Sequence, residues 1–211
     1  MTESIRIFDI LFVKCGWIGY ALWLLSFVTV GVMVRFFLMT RRGRAVPRDV
    51  LSQMRSLLED KDYRRVLELS GKDPSFLSGI VHSGLAEARH GYDAMERAME
   101  EAAEERTTRL LRQVEYLNLI GNVSPMLGLT GTVWGMILAF FTIVETGGTP
   151  NPADLAGAIG IALVTTLLGL GVAIPSLSVY ALLRNRIDSL ASEAMVLSQE
   201  LLSSVKIDRA D

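Results

Sequence analysis

Threonines and asparagines stand in long uncharged runs, together with a set of glycines and alanines. Asn118, Asn122, Leu129 and Thr132 fall on about one face of a helix. Ala158, Ala162, Thr166, Gly169 and Ala173 make a similar stripe in a second run, and Thr165 adjoins Thr166. Two such helices could line a narrow shared cavity with neutral hydrogen-bonding groups. They could equally just pack, since small stripes bring helices together and a membrane threonine often bonds its own i−4 carbonyl. Gly131 and Gly135 have GxxxG spacing, and with Gly128 they allow another helix to approach closely. No lysine follows the last glycine, so this stretch is not a phosphate loop. Pro125 removes one backbone hydrogen bond and predicts a bend.

No carboxylate, lysine or histidine lies between Glu115 and Glu145 or between Asp154 and Arg184. Proton relays across membranes generally need an ionisable group at depth. A proton path through these residues therefore needs a carboxylate brought by another chain. No metal site is expected of His82 and His90, which lie eight apart with no cysteine near, and both read as surface or packing residues. The single cysteine, Cys15, excludes an intrachain disulfide. No cluster of nucleophile, base or metal ligands supports an enzyme, and no cofactor is expected. A net charge of −2 gives no basic surface for nucleic acid.

The elements that position these residues follow from hydropathy. Half of the 211 residues are hydrophobic and the mean hydropathy is +0.36, a membrane-protein composition. A span needs about 20 apolar residues. Residues 17–39 suffice if Arg35 reaches the surface, and Arg41, Arg42 and Arg44 after them mark a retained anchor rather than a cleaved signal peptide. The two later runs each support about 28 helical residues, on the order of 40 Å, so those helices should tilt or project. Arginines follow spans one and three and precede span two, whereas the connection from Glu145 to Asp154 has no basic residue. Arg6 and Lys14 oppose that bias but are outnumbered. The N-terminus and that connection are then external, and the rest of the polar chain is cytoplasmic.

The expected fold is an all-α membrane protein with three transmembrane helices, spans two and three extending into the cytoplasm as a helical bundle. The expected segments are an amphipathic periplasmic stretch (1–16), spans at 17–39, 117–145 and 154–184, a cytoplasmic helical region (40–116), a periplasmic loop (146–153) and a cytoplasmic C-terminal helix (185–211). Within 40–116, Pro47-Arg48-Asp49 opens one helix. A second runs from Asp62 to Leu69 and stops at Ser70-Gly71, and a third runs from Pro74-Ser75 to His90-Gly91. Met95, Met99, Ala102, Leu110, Val114 and Leu117 then mark a helix that continues into span two, its glutamates a solvated face. Ile187, Leu190, Ala194, Leu197 and Leu201 mark an amphipathic continuation of span three. The soluble part reads as an extension of the bundle rather than a separate catalytic domain.

Two stretches carry a family resemblance. Asn122-Val-Ser-Pro-Met-Leu-Gly-Leu-Thr-Gly-Thr-Val-Trp-Gly135 and Ala156-Gly-Ala-Ile-Gly-Ile-Ala-Leu-Val-Thr-Thr-Leu-Leu-Gly-Leu-Gly-Val-Ala-Ile-Pro175 resemble the MotA/TolQ/ExbB proton channel family, nearest to its ExbB branch. Gly16-Trp17 before span one fits the same pattern. The resemblance implies a pentamer in the bacterial inner membrane, spans two and three surrounding a pore. It implies a single-span ExbD/TolR-like partner that brings the proton-binding aspartate, and energised transport through a TonB-like protein or envelope work in the Tol branch. It assigns the pore threonines to Thr132 and Thr166; Asn122, Ala158, Ala162, Thr165 and Gly169 are expected, from their stripes, as small or polar pore-face residues. Pro125, Gly128, Gly131, Gly135 and Pro175 shape the helices. Where some relatives carry a span-three glutamate, this chain has Ile161. The alternatives are a non-conducting structural or assembly protein of the same fold, and a flagellar-stator-like subunit, a type that usually has four spans.

Overall fold

The computed structural model describes residues 16–39 and 45–207. The expected N-terminal amphipathic segment, Cys15 and the cluster Arg41, Arg42 and Arg44 lie outside the described residues. All regular structure among the described residues is helical: α1 (Gly16–Met39), α2 (Arg48–Glu59), α3 (Tyr63–Lys72), α4 (Phe76–Ala86), a 3-10 turn (Ala88–His90), α5 (Tyr92–Glu145) and α6 (Pro152–Ile207). Three of these, α1, α5 and α6, are long and apolar enough to cross a membrane. At 54 and 56 residues, α5 and α6 run on the order of 80 Å each, against a hydrocarbon core of about 30 Å. Both therefore extend well beyond the membrane.

The chain divides into two compact units. The first holds α1 to Arg35, α5 from Glu115 and α6 to Ala181. Its outer faces carry Trp17, Leu24, Phe27, Leu119, Phe140, Leu163 and Ile174, all exposed. In water such faces would aggregate; in a bilayer the lipid solvates them, while the backbone stays satisfied within each helix. The packed interior is small and partly polar, with Ala162, Ala173, Ser124, Thr165 and Ser176 buried. In α1, the buried Thr29 hydroxyl donates to the Leu25 carbonyl at 2.7 Å.

The second unit holds α2 to α4, α5 to Val114 and α6 from Leu182. It has its own hydrophobic core, with Met54, Leu58, Val66, Leu77, Ile80, Val81, Met99 and Leu202 buried together. The second unit is thus more than a prolongation of two long helices: three short helices pack with its segments of α5 and α6 in one core. Bare Gly84 permits this packing, because a Cβ there would meet Met99 Cγ at 2.6 Å and Leu202 Cδ1 at 3.0 Å.

Two of the short helices, α3 and α4, start on side-chain caps, with Asp62 accepting from the Arg65 amide and Ser75 from the Ser78 amide, each at 3.2 Å. Asp73 braces the second cap. Its Oδ2 accepts from the Ser78 hydroxyl at 2.5 Å, the Ser75 amide at 3.3 Å and the Ser75 hydroxyl. Burial pushes the Asp73 carboxyl up, but those hydrogen bonds outweigh it and hold the group below its usual range. Lys72, bonded to Glu68 one turn earlier, likewise holds that carboxyl down.

Two boundaries differ from expectation. The helix expected to stop at Ser70-Gly71 runs through both residues to Lys72. Ser70 donates to the Leu67 carbonyl at 3.0 Å and meets His82 Nδ1 at 3.2 Å. Gly71 leaves room for the His82 ring, whose Cε1 would lie 3.2 Å from a Cβ. Packing against α4 thus overrides the local stop signal. The helix expected to reach His90-Gly91 ends at Ala86 and gives way to the 3-10 turn. Gly91, at φ +99°, then breaks the chain before α5. His82 is half-buried as a packing residue, and His90 is exposed beside Glu87 at 2.7 Å.

Candidate functional site

Within the first unit, α5 and α6 run antiparallel and meet along bare backbone. Most contacts pair a glycine on one helix with a small residue or a carbonyl on the other. A Cβ on Gly135 would lie 2.8 Å from the Ala162 Cβ and 2.9 Å from the Ala158 carbonyl. One on Gly128 would lie 3.1 Å from the Thr166 Cα, and one on Gly169 would lie 2.6 Å from the Ser124 carbonyl. Toward the Leu117 end of the seam, Gly121 receives Leu177, whose Cγ would be 2.6 Å from a Cβ. This close approach is the product of the small residues themselves: dispersion and interhelical hydrogen bonds hold such pairs where lipid offers no hydrophobic drive.

Polar side chains stitch the same seam. The buried Ser176 hydroxyl donates to the Leu117 carbonyl at 2.7 Å. Buried Thr165 donates to the Ala162 carbonyl at 2.8 Å. Half-buried Thr166 approaches the Gly128 carbonyl at 3.2 Å across the seam and the Ala162 carbonyl at 3.5 Å on its own helix. Thr132, also half-buried, donates to the Leu129 carbonyl at 2.6 Å. No buried polar side-chain atom among the described residues lacks a partner.

The structure therefore sorts the residues singled out in the sequence. Ala162, Thr165 and Gly169 are buried, with Gly128, Gly131 and Gly135, in the seam of a single chain. Ala158 is half-buried at the Gly135 end of the seam and Asn122 is exposed. Pro125 and Pro175 lie inside continuous helices. The expected small stripe included Thr166; the residue that fills the seam is Thr165, and Thr166 sits at its edge. Ser176 was not singled out, although it continues the three- and four-residue spacing of Ala162, Thr165, Gly169 and Ala173.

A polar chain runs along the end of the seam near Glu115. The Asn122 amide nitrogen donates to Asn118 O at 2.8 Å and Asn118 Oδ1 at 2.9 Å. The Asn118 amide donates to Glu115 Oε1 at 2.7 Å, and the Tyr180 hydroxyl of α6 donates to Glu115 Oε2 at 3.1 Å. The tyrosine link had no signal in sequence spacing, because it joins residues 65 apart.

Comparison with known proteins places this geometry. Residues 69–195 match the model of the MotA/TolQ/ExbB proton channel family. The biopolymer transport protein ExbB of Pseudomonas putida is 29% identical over 208 residues, covering 93% of this chain and 60% of that relative. The chain thus spans less than two thirds of that protein's length. Biopolymer transport protein exbB1 of Vibrio cholerae is 28% identical over 173 residues, covering 78% of this chain and 74% of that one. The solved structure of C. jejuni MotAB matches 96% of this chain and 85% of its own with a TM-score of 0.58. At 18% identity this likeness concerns the fold.

Proposed function

This chain belongs to the MotA/TolQ/ExbB proton channel family, and we propose that it is an ExbB/TolQ-type motor subunit of the bacterial inner membrane. In this reading it couples the proton motive force to energised transport or cell-envelope work. The N-terminus and the loop after α5 face the periplasm, the second unit and the C-terminus face the cytoplasm, and the arginine bias supports that orientation. Copies of the chain, five by family analogy, surround a single-span ExbD/TolR-like partner.

One observation carries the reading: a tightly packed apolar helix pair offers threonine hydroxyls at its edge but no acidic or basic side chain at depth. The chain supplies a neutral wall, and the partner supplies the carboxylate that takes and gives the proton. Each proton crossing about 100 mV releases roughly 2.3 kcal/mol for work. A non-conducting scaffold of the same fold is the competing reading, because the glycine seam serves either role.

Proteoliposomes separate the two. The full chain, purified with the chain that accompanies it, is reconstituted with an enclosed pH-sensitive dye. Proton flux under an imposed potential is expected for the complex, and its loss on replacing Thr132 and Thr166 together by alanine at equal assembly. Absence of flux from the intact complex supports the scaffold. Unchanged flux in the double variant removes the assignment of these two threonines.

A further inference from the structure

We infer that the Arg106 guanidinium of one copy of this chain pairs with the Glu104 carboxylate of the next, an ionic contact that joins the second units of neighbouring copies. The inference rests on the proposed function in one respect, that several copies assemble. Arg106 stands apart from the other basic side chains. Every other lysine or arginine whose burial is described is exposed, whereas Arg106 is half-buried. Its guanidinium lies against bare backbone of α4, where a Cβ on Gly79 would overlap its Cζ, Nη2 and Nε. Among the described residues it makes no hydrogen bond or ion pair. A cation that gives up part of its water without gaining an anion is unfavourably placed. α4 has no acidic residue to offer it. The positions one turn away on its own helix are Ala102, Ala103, Arg109 and Leu110.

Glu104 has the complementary deficiency. It is exposed, and among the described residues it too makes no hydrogen bond or ion pair. Its neighbours one turn back are Glu100 and Glu101, and one turn on they are Thr107 and Thr108. Like charges at that spacing repel. The groove it borders is lined from α6 by Ala191, Ser192, Met195 and Val196, none of them charged. On its other flank Arg109 and Arg112 share a concave face with it, but neither pairs with it.

One chain cannot bring the two together. At 3.6 residues per turn, positions 104 and 106 lie about 160° apart around α5, so they leave opposite sides of the helix. Along the axis they differ by only about 3 Å. Copies that share a membrane and a topology are related by rotation about its normal, so each residue keeps its height from copy to copy. The Arg106 side of one copy then meets the Glu104 side of the next at nearly one level. The contact is heterologous: each copy gives its arginine to one neighbour and its carboxylate to the other. A closed ring satisfies every pair, and a lone copy satisfies none.

The test traps the pair. Two differently tagged full-length copies are expressed together with the chain that accompanies them. One copy carries Arg106→Lys and Glu104→Gln, and the other is the parent. Complexes that hold both tags are treated in the membrane with a water-soluble carbodiimide, which joins an amine to a carboxylate in contact with it. Peptide mass spectrometry then reads the product. The expected product links position 106 of the first copy to Glu104 of the second, a link that only two copies can make. Links from position 106 solely within its own copy, or solely to the accompanying chain, overturn the inference. So does the absence of any such link in a complex that holds both tags. If no complex holds two copies of the parent chain, the proposed function fails and the inference falls with it. Should the double variant not assemble, charge reversal decides: Arg106→Glu is expected to lose most of the multi-copy complex, and adding Glu104→Arg in the same chain to restore it. Full assembly of Arg106→Glu, or no recovery in the reversed pair, overturns the inference while leaving the proposed function standing.

Discussion

The Thr165 side chain occupies the space a Gly131 side chain would need. A Cβ on Gly131 would come within 2.2 Å of the Thr165 hydroxyl oxygen and 2.5 Å of its Cβ. The threonine is buried and its hydroxyl is bonded, so it cannot simply swing aside. This single contact explains why the first glycine of the GxxxG spacing and the first of the paired threonines belong together. It also gives Thr165 a structural task that Thr166, at the edge of the seam, does not share.

Gly131→Ala is therefore expected to destabilise the helix pair by about 1–3 kcal/mol, the usual cost of overpacking. Thr165→Gly in the same chain removes both close atoms and is expected to recover part of that loss. Thermal unfolding of the detergent-solubilised chain measures the single and double variants. Equal stability of Gly131→Ala and the parent would mean that α5 and α6 do not approach this closely.

Ser176→Ala removes the hydroxyl that crosses the seam to Leu117. The Leu117 carbonyl keeps its helical amide partner, so the expected loss is that of one net hydrogen bond, about 1 kcal/mol. The same unfolding assay reads it.

Much of this arrangement was legible in the sequence. The three long apolar helices follow from charge-free runs that nothing but a membrane solvates. The continuity of α5 into the second unit follows from an unbroken pattern from Met95 to Leu117, with no glycine or proline between them. What spacing could not decide was which of two adjacent threonines enters the seam: they differ by 100° around the helix, and α6 alone is nearly as apolar on either side. The core of the second unit was also hidden. Met54, Val66, Leu77 and Met99 come together only through the order in which α2, α3 and α4 fold over α5 and α6, a long-range fact that no local pattern holds. The extension of α3 through Ser70 and Gly71 failed to show for the same reason, since His82, twelve residues beyond Ser70, supplies the contact.

Tyr180→Phe removes the hydroxyl that reaches Glu115 at 3.1 Å. Glu115 is exposed and Tyr180 is half-buried, so water replaces the lost donor and the expected cost is under about 1 kcal/mol. The effect should be smaller than that of Ser176→Ala, whose site is closed to water. A reversed order in the unfolding assay would show that the polar chain at Glu115, rather than the buried seam, holds this end of the helices together.

Asp73 sets an acid limit on the second unit. Hydrogen bonds from Ser75 and Ser78 hold its carboxyl below the usual carboxylate range despite the opposing effect of burial. A folded-state value below the unfolded one means that the unfolded chain binds the proton more readily. Its contribution is then fully present above the unfolded value and is lost as pH falls through the folded one. Acid unfolding of the full chain, followed by tertiary signals of the second unit, should show this dependence. Asp73→Asn should flatten it, because the amide does not titrate, and should lower stability at neutral pH by removing the charged acceptor. Ser75→Ala removes both the helix cap and one of the donors, and is expected to cost about 0.5–2 kcal/mol at neutral pH. With that donor gone the Asp73 carboxyl rises toward its usual range, so the acid transition of Ser75→Ala should begin at higher pH than that of the parent. An unmoved transition would mean that Asp73 draws nothing from the Ser75 hydroxyl.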